Sequence, residues 1–113
     1  MAYFFPKDDI TFVPHPKFDG VKWAPLINAE KTDRISVCLL LLEPDVEIAR
    51  HIHDPQIDSI FVLEGEGEAF VNGKWEKIKP GDYVFVPARD EHGVKNTGNS
   101  PLKLFIVHSP PLY

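Results

Sequence analysis

Two of the five histidines in this 113-residue chain, His51 and His53, are separated by a single residue. They end a run of alternating apolar and polar residues that is typical of a β-strand. Side chains two positions apart in a strand point to the same face, so both imidazoles would be directed to one place. Their ring nitrogens could then bind one metal ion. A His-x-His pair alone is weak evidence, because histidines in β-proteins more often lie at the surface or have a structural role.

A carboxylate and a third imidazole can join this pair. Asp58 begins the next strand-like run, and an antiparallel turn after an Asp-Pro loop would bring its side chain back beside the two imidazoles. His92 follows the turn at Pro87. Three imidazoles and one carboxylate suit Fe(II), Mn(II), Ni(II), Cu(II) or Zn(II) better than Ca(II) or Mg(II). The candidate metal ligands are therefore His51, His53, Asp58 and His92, around one divalent transition-metal ion.

The other two histidines are not expected at this site. His15 stands between two prolines and His108 lies near the end of the sequence, and both fall outside any ligand spacing. No further side chain stands out as a catalytic acid or base.

The candidate ligands need strands to position them. Short runs of β-branched, aromatic and aliphatic residues are interrupted by turn residues, which is the pattern of a β-sandwich or barrel, and no helical period extends far. Asn72-Gly73 is the most specific turn, because a two-residue type I′ hairpin loop requires positive φ at both positions. We predict strands at residues 35–42, 46–53, 58–64, 66–72, 75–78, 82–86, 92–96 and 102–108, with shorter extended pieces at 10–13 and 21–27.

The middle of the chain resembles the two sequence motifs of the cupin superfamily. In the first motif, a glycine precedes a His-x-His pair, and a glutamate and a second glycine follow. This chain has Asp45, His51, His53, Asp58 and Gly65 at the corresponding spacing, so aspartate replaces both the first glycine and the glutamate.

The second motif contains a glycine, a Pro-x-Gly turn, a histidine and an asparagine. Gly81, Pro87, His92 and Asn96 stand at the family's spacing, and only Arg89, in place of a glycine, departs. The chain is thus similar to small single-domain cupins of the RmlC-like, cupin 2 type. This resemblance implies an all-β, single-domain jelly-roll antiparallel β-barrel. We expect the barrel over residues 31–113, after an N-terminal arm of short strands at 1–30.

The resemblance also implies a metal site at the motif histidines and at the glutamate position. Aspartate has one methylene group fewer than glutamate, so its carboxylate reaches roughly an ångström less far, which is large against metal–ligand distances defined to about 0.2 Å. Asp58 therefore binds the ion directly, or acts through water or by holding an imidazole N–H, and Gln56 is a weaker candidate for its place.

Composition excludes several partners. The formal net charge of −5 provides no basic surface for nucleic acid or an anionic membrane. The start lacks a secretory pattern, and the single cysteine, Cys38, lies in an apolar run as a small buried residue would. Together these features favour a cytoplasmic protein. The aromatic-rich first 30 residues could complete a neighbouring subunit's sheet, so we expect a homodimer with an interface at this arm.

The resemblance defines a reaction less well than a fold. The leading hypothesis is a metal-dependent enzyme of the oxygenase type, most simply a dioxygenase, that acts on a small oxygenated molecule. The alternatives are a non-redox cupin that processes sugar acids as a lyase or isomerase, and a metal- or small-molecule-binding module without turnover. Arg89 could hold an anionic substrate and Tyr83 could offer a hydroxyl, or both could be exposed side chains without a role.

Overall fold

The regular structure of this chain is nearly all β. The computed structural model describes all 113 residues, with one 3-10 helix at Lys7–Asp9 and ten strands. The strands are β1 (Val13–Pro14), β2 (Val21–Ile27), β3 (Ser36–Leu42), β4 (Glu47–His51), β5 (Ile57–Glu64), β6 (Gly67–Val71), β7 (Lys74–Ile78), β8 (Tyr83–Val86), β9 (His92–Asn96) and β10 (Leu102–Ser109). The predicted all-β class is confirmed, and the predicted strand at residues 92–96 coincides with β9.

Two antiparallel sheets build the jelly-roll barrel. The larger has the order β1-β2-β3-β10-β5-β8, and the smaller has the order β4-β9-β6-β7. Fourteen buried apolar residues fill the space between them. Leu42, Leu102 and Leu104 are completely buried. Each such leucine contributes roughly 1.5–3 kcal/mol through burial, so the part of the barrel interior where these three leucines lie supplies much of the stability.

Strand alternation decides which side chains enter the barrel. In β5, Asp58, Ile60 and Val62 are buried while Phe61 and Leu63 are exposed. In β10, the buried set is Leu102, Leu104, Ile106 and His108. Each of these strands therefore presents an apolar series that ends in one inward polar residue.

Turns with special backbone geometry fix the strand register. Asn72 and Gly73 have φ of 52° and 81°, so the predicted hairpin between β6 and β7 is confirmed. Gly65 also has positive φ, and a Cβ atom there would lie 2.3 Å from the Pro101 carbonyl oxygen. Asn96 donates from its side-chain amide to the carbonyls of Leu42 and Ser100, at 2.9 and 2.8 Å.

The structure differs from the predicted elements at a candidate ligand, His53, and in the predicted N-terminal arm. β4 ends at His51, so His53 lies in the following loop and not in the strand. β2 pairs with β3 of its own chain and is part of the larger sheet, although residues 21–27 belong to the predicted arm. No helix is long and apolar enough to cross a membrane.

Candidate metal centre

Four histidines and one aspartate meet at one end of the barrel interior. The ring nitrogens of His51, His53 and His92 form one group, and those of His53 and His108 form a second with a carboxylate oxygen of Asp58. Within each group the candidate ligand atoms lie within 4.8 Å of one another. The predicted set of His51, His53, Asp58 and His92 is thus brought together, and His108 is added to it.

Strand pairing explains this convergence. His51 at the end of β4 lies opposite His92 at the start of β9. Asp58 at the start of β5 lies opposite His108 near the end of β10. His53, in the loop after β4, is held by its carbonyl oxygen, which accepts a 2.7 Å hydrogen bond from the backbone N–H of Arg89.

The distances between the ligand atoms fit a single ion. The Nε2 atoms of His51 and His53 are 3.2 Å apart, and Asp58 Oδ2 lies 3.1 Å from His92 Nε2 and 3.9 Å from His53 Nε2. Two ligands about 2.1 Å from one ion lie about 3.0 Å apart at a right angle, about 3.4 Å at the tetrahedral angle and about 4.2 Å when opposite. All three distances fall in this range.

Backbone carbonyls orient two of the imidazoles. Nδ1 of His51 lies 2.7 Å from the Ala49 carbonyl oxygen, and Nδ1 of His92 lies 3.0 Å from the Asp90 carbonyl oxygen. A carbonyl only accepts, so each Nδ1 carries the proton and each Nε2 presents a lone pair in the neutral ring. This is the arrangement by which outer contacts commonly prepare a histidine for metal binding.

Local charge also suits a cation. Burial, followed by the neighbouring imidazoles of His51 and His108, lowers the pKa of His53 to about 4. Burial also lowers the pKa of His51. Burial alone would raise the pKa of Asp58, but His108 and His92 outweigh it and hold this pKa well below its usual range. At neutral pH the rings of His51 and His53 are therefore neutral and lie beside a carboxylate.

His92 is the exception among these rings. Burial lowers its pKa, but the contact with Asp58 and the Asp90 carbonyl raise it above the usual value of 6.5. Its Nε2 lone pair would face a carboxylate oxygen at 3.1 Å, and two lone pairs that close repel unless a proton or a metal ion lies between them. Without an ion, a proton occupies this place.

The buried polar atoms test whether a metal ion fits. Asp58 Oδ1 and His108 Nδ1 are buried and have no hydrogen-bond partner, and His108 Nε2 meets only Asp58 Oδ2, at 3.2 Å and without hydrogen-bond geometry. Leaving such atoms unpaired costs about 1–3 kcal/mol each. A positive ion coordinated at this place would satisfy some of them, and the nitrogen-rich donor set is one that transition metals prefer. The residues present therefore fit a bound transition-metal ion.

A mostly apolar cavity of about 270 Å³ opens onto the cluster. The hydroxyl of Tyr113 is buried in its wall, near the side chains of Cys38 and Ser36, and forms no hydrogen bond of full geometry. Burial, followed by the nearby Cys38 thiol, raises the pKa of Tyr113 well above its usual range, so this hydroxyl remains a donor. Lys17 is the only lysine or arginine in the lining. Such a cavity suits a small, largely apolar molecule with a few polar atoms.

One sequence prediction is corrected here. His108 was expected outside the site, but its Nε2 lies 3.2 Å from Asp58 Oδ2. The inward alternation of β10, in which a histidine continues the series of Leu102, Leu104 and Ile106, could have revealed it. His15 lines the cavity but joins neither ligand group.

The other candidate residues lie away from the ion-binding cluster. Gln56 donates to the Pro111 carbonyl at 3.1 Å and belongs to neither ligand group. Arg89 and Tyr83 are exposed and do not line the cavity, and Tyr83 pairs with Ser59 on the outer face. Cys38 is buried, and burial raises its pKa to about 11, which confirms its role as a small core residue.

Comparison with known proteins places these features in a family. The model of the family described as "Cupin domain" matches residues 38–108. An oxalate-binding protein from Thermotoga maritima is 35% identical over 66 residues, which cover 58% of this chain and 54% of the relative. A 5-nitrosalicylic acid 1,2-dioxygenase from Bradyrhizobium sp. is 31% identical over 72 residues, which cover 64% and 34%. The chain thus spans about half of the first relative and a third of the second.

The fold has a solved counterpart of similar length. The crystal structure of a predicted oxalate decarboxylase from Thermotoga maritima matches with a TM-score of 0.85 and 26% identity, covering 96% of this chain and 99% of the other.

Proposed function

This chain belongs to the cupin family, and from that premise we propose that it is a metal-dependent enzyme of the oxygenase type acting on a small oxygenated molecule. Its ion would be one divalent transition metal, among Fe, Mn, Ni, Cu and Zn, held by His51, His53, His92 and Asp58. The observation that carries the proposal is the convergence of three imidazoles within 4.8 Å of one another, with Asp58 Oδ2 3.1 Å from His92 Nε2, at a mostly apolar cavity.

The chain's own residues would prepare this centre. The carbonyls of Ala49 and Asp90 orient two imidazoles so that their Nε2 lone pairs face the ion. The Asp58 carboxylate would balance part of its charge. When bound, the ion would supply Lewis acidity that polarises an oxygen atom of the ligand. The apolar walls would limit the access of water, and the Tyr113 hydroxyl would donate a hydrogen bond to a polar atom of the ligand.

The ligand we propose is a small carboxylic acid or a related oxygenated compound. Two relatives are named for such molecules, oxalate and 5-nitrosalicylic acid. Lys17, at the cavity, would attract an anion. The volume of about 270 Å³ is at the lower end of ligand pockets and favours a small molecule.

A second candidate is a binding module without turnover, which the similarity to an oxalate-binding protein favours. A non-redox lyase or isomerase of sugar acids has less support. It would need several groups to bind hydroxyls, and Arg89 and Tyr83, the two side chains available for this from the sequence, do not line the cavity. The homodimer and the cytoplasmic location stay predictions.

Elemental analysis of untagged protein is the first test. We expect about one equivalent of a transition metal in the wild type, and its loss in His51→Ala and His92→Ala. His15→Ala is the matched control, because it removes an imidazole from the same cavity but from neither ligand group. Metal binding that survives both ligand substitutions would refute the site.

Turnover is tested separately on metal-loaded protein. Oxygen uptake is measured with oxalate and with substituted salicylates, and ligand affinity is measured under anaerobic conditions. Uptake that His92→Ala abolishes supports the oxygenase. Tight binding of an acid with no consumption of oxygen or ligand would favour the binding module. In either case Tyr113→Phe should weaken ligand binding about tenfold, consistent with a buried hydrogen bond of about 1.4 kcal/mol, whereas Tyr83→Phe should not.

A further inference from the structure

We propose that His108 is an additional metal ligand, so that Asp58 and His108 together occupy the position that a single longer carboxylate holds in the motif which the sequence resembles. This inference rests on the proposed metal centre and extends it to a residue outside both motifs.

The register of the larger sheet places these two residues together. His108 of β10 and Asp58 of β5 are direct cross-strand partners, and both side chains point into the barrel. Side chains that face each other in this way have Cβ atoms about 4.5–5.5 Å apart, so the imidazole and the carboxylate reach the same space. An aspartate leaves room there, and the His108 ring fills it.

The position of the imidazole ring fits coordination to the same ion. His108 Nε2 lies 3.2 Å from Asp58 Oδ2, within the range expected for two ligands of one ion. The ligand atoms of His53, Asp58 and His108 all lie within 4.8 Å of one another. The rings of His53 and His108 meet edge to face, with centroids 5.0 Å apart. His53 belongs to both ligand groups, but His108 is not grouped with His51 or His92, so one ion can bind all four imidazoles only if His108 moves towards these two rings.

The hydrogen-bond accounting points the same way. His108 is 6% exposed, its Nδ1 has no hydrogen-bond partner, and its Nε2 meets only Asp58 Oδ2, at 3.2 Å. Burying a ring nitrogen without a partner is unfavourable, and nearly all buried polar groups have one. As at His92, lone pairs this close to a carboxylate oxygen repel unless a proton or a metal ion lies between the two atoms, and a shared metal ion meets this requirement.

The competing role for His108 is to hold Asp58 by a shared proton without binding the ion. The two roles predict different numbers of imidazoles around the metal. X-ray absorption on wild-type protein loaded with Co(II) or Zn(II) counts them directly, and it needs no variant that could fail to fold. We expect four imidazoles if His108 binds the ion and three if it only positions Asp58.

Variants supply the second measurement. In His108→Leu we expect one imidazole fewer and an affinity for Co(II), measured by chelator competition, at least tenfold weaker than that of the wild type. His15→Ala is the control and should change neither quantity. The double variant Asp58→Glu with His108→Leu restores the motif's longer carboxylate. It should recover most of the affinity while retaining three imidazoles.

The outcomes separate this inference from the proposed function. Three imidazoles in the wild type, together with an unchanged affinity in His108→Leu, would overturn the role of His108 and leave the centre in place. A wild-type protein that binds no transition metal, or one whose His51→Ala variant keeps it, would overturn the proposed centre and the inference with it.

Discussion

Arg89 lies in a left-handed backbone conformation, with φ of 71°, at the position where the second motif has glycine. A residue with a Cβ atom there costs about 1–2 kcal/mol, whereas glycine avoids this strain. Glycine in turn loses more backbone freedom on folding, a cost of about 0.5–1 kcal/mol. We therefore expect Arg89→Gly to raise the free energy of unfolding by about 0.5–1 kcal/mol, or to raise Tm by roughly 2–4 °C for a chain of this size.

Nothing in the folded structure offsets this gain. The Arg89 guanidinium is exposed and forms no ion pair, and the residue's own contact with the metal centre is made by its backbone N–H, which donates to His53. Glycine keeps that N–H. The affinity for metal should therefore stay within twofold of the wild-type value.

Urea denaturation of metal-free protein, with m-values compared, measures the effect. Arg89→Ala is the matched control, because it removes the charged side chain and keeps the Cβ atom, so its stability should change by less than about 0.5 kcal/mol. If Arg89→Gly is no more stable than Arg89→Ala, the strain argument is wrong. If Arg89→Ala instead weakens binding of an acid, the side chain holds anions as the alternative from the sequence proposed.

Three other predictions concern the site, a turn and the outer surface. The pKa of His92 is raised above 6.5, so its proton must leave when the ion binds, and metal affinity should rise with pH up to this pKa and level off above it. Calorimetry in buffers of different ionisation enthalpy should detect about one proton released per ion near pH 6.5. Release of no proton would contradict the assignment of His92 as a ligand. Gly65→Ala should destabilise the fold by about 3 kcal/mol or more in the same urea assay, because Gly65 has positive φ and a Cβ atom there would lie 2.3 Å from a backbone oxygen. Gly73→Ala is the control, since its Cβ atom would enter open space, and it should cost less. Phe61 and Phe85 expose 38% and 52% of their surface on the outer face of the larger sheet. The homodimer is predicted at the N-terminal arm, so replacing both phenylalanines with serine should leave the sedimentation of the dimer unchanged, and a shift towards the monomer would place the interface on this face instead.

The sequence was sufficient for the barrel and for bringing most residues of the candidate metal centre together. Alternation of apolar and polar residues follows from the pleat of each strand, so it predicts which side chains point inward. The hairpin at Asn72-Gly73 could be predicted because few residue pairs tolerate positive φ at both positions. The motif spacing places His51 and His92 on neighbouring strands, which the structure pairs directly. The alternation and the hairpin depend on local chemistry, whereas the placement of His51 beside His92, 41 positions later, could be predicted only through the family motifs.

What could not be predicted depends on register between distant strands. Asp58 and His108 are fifty positions apart in the sequence, and only the pairing of β5 with β10 makes them neighbours. A slip of two residues would keep both side chains inside the barrel and separate them by several ångströms, since each residue advances a strand by about 3.3 Å. Alternation therefore identifies a histidine as inward-facing without identifying its partner. The direction of Tyr83 and Phe85 shows the converse limit, because an aromatic residue in a strand is compatible with either face and these two point outward.

The inward polar residues also explain how stability and chemistry share one interior. The inward-facing residues of β5, β9 and β10 include one residue of the candidate metal centre each, namely Asp58, His92 and His108. All three lie at the same end of the barrel, and the completely buried leucines lie towards the other end. Burying a carboxylate and four imidazoles without full hydrogen bonding is unfavourable, and the apolar end must offset it when no ion is bound. An ion that binds only the folded chain would reverse part of that cost and stabilise the fold in proportion to the logarithm of its concentration. The same convergence of lone pairs that weakens the empty barrel would therefore make metal binding favourable.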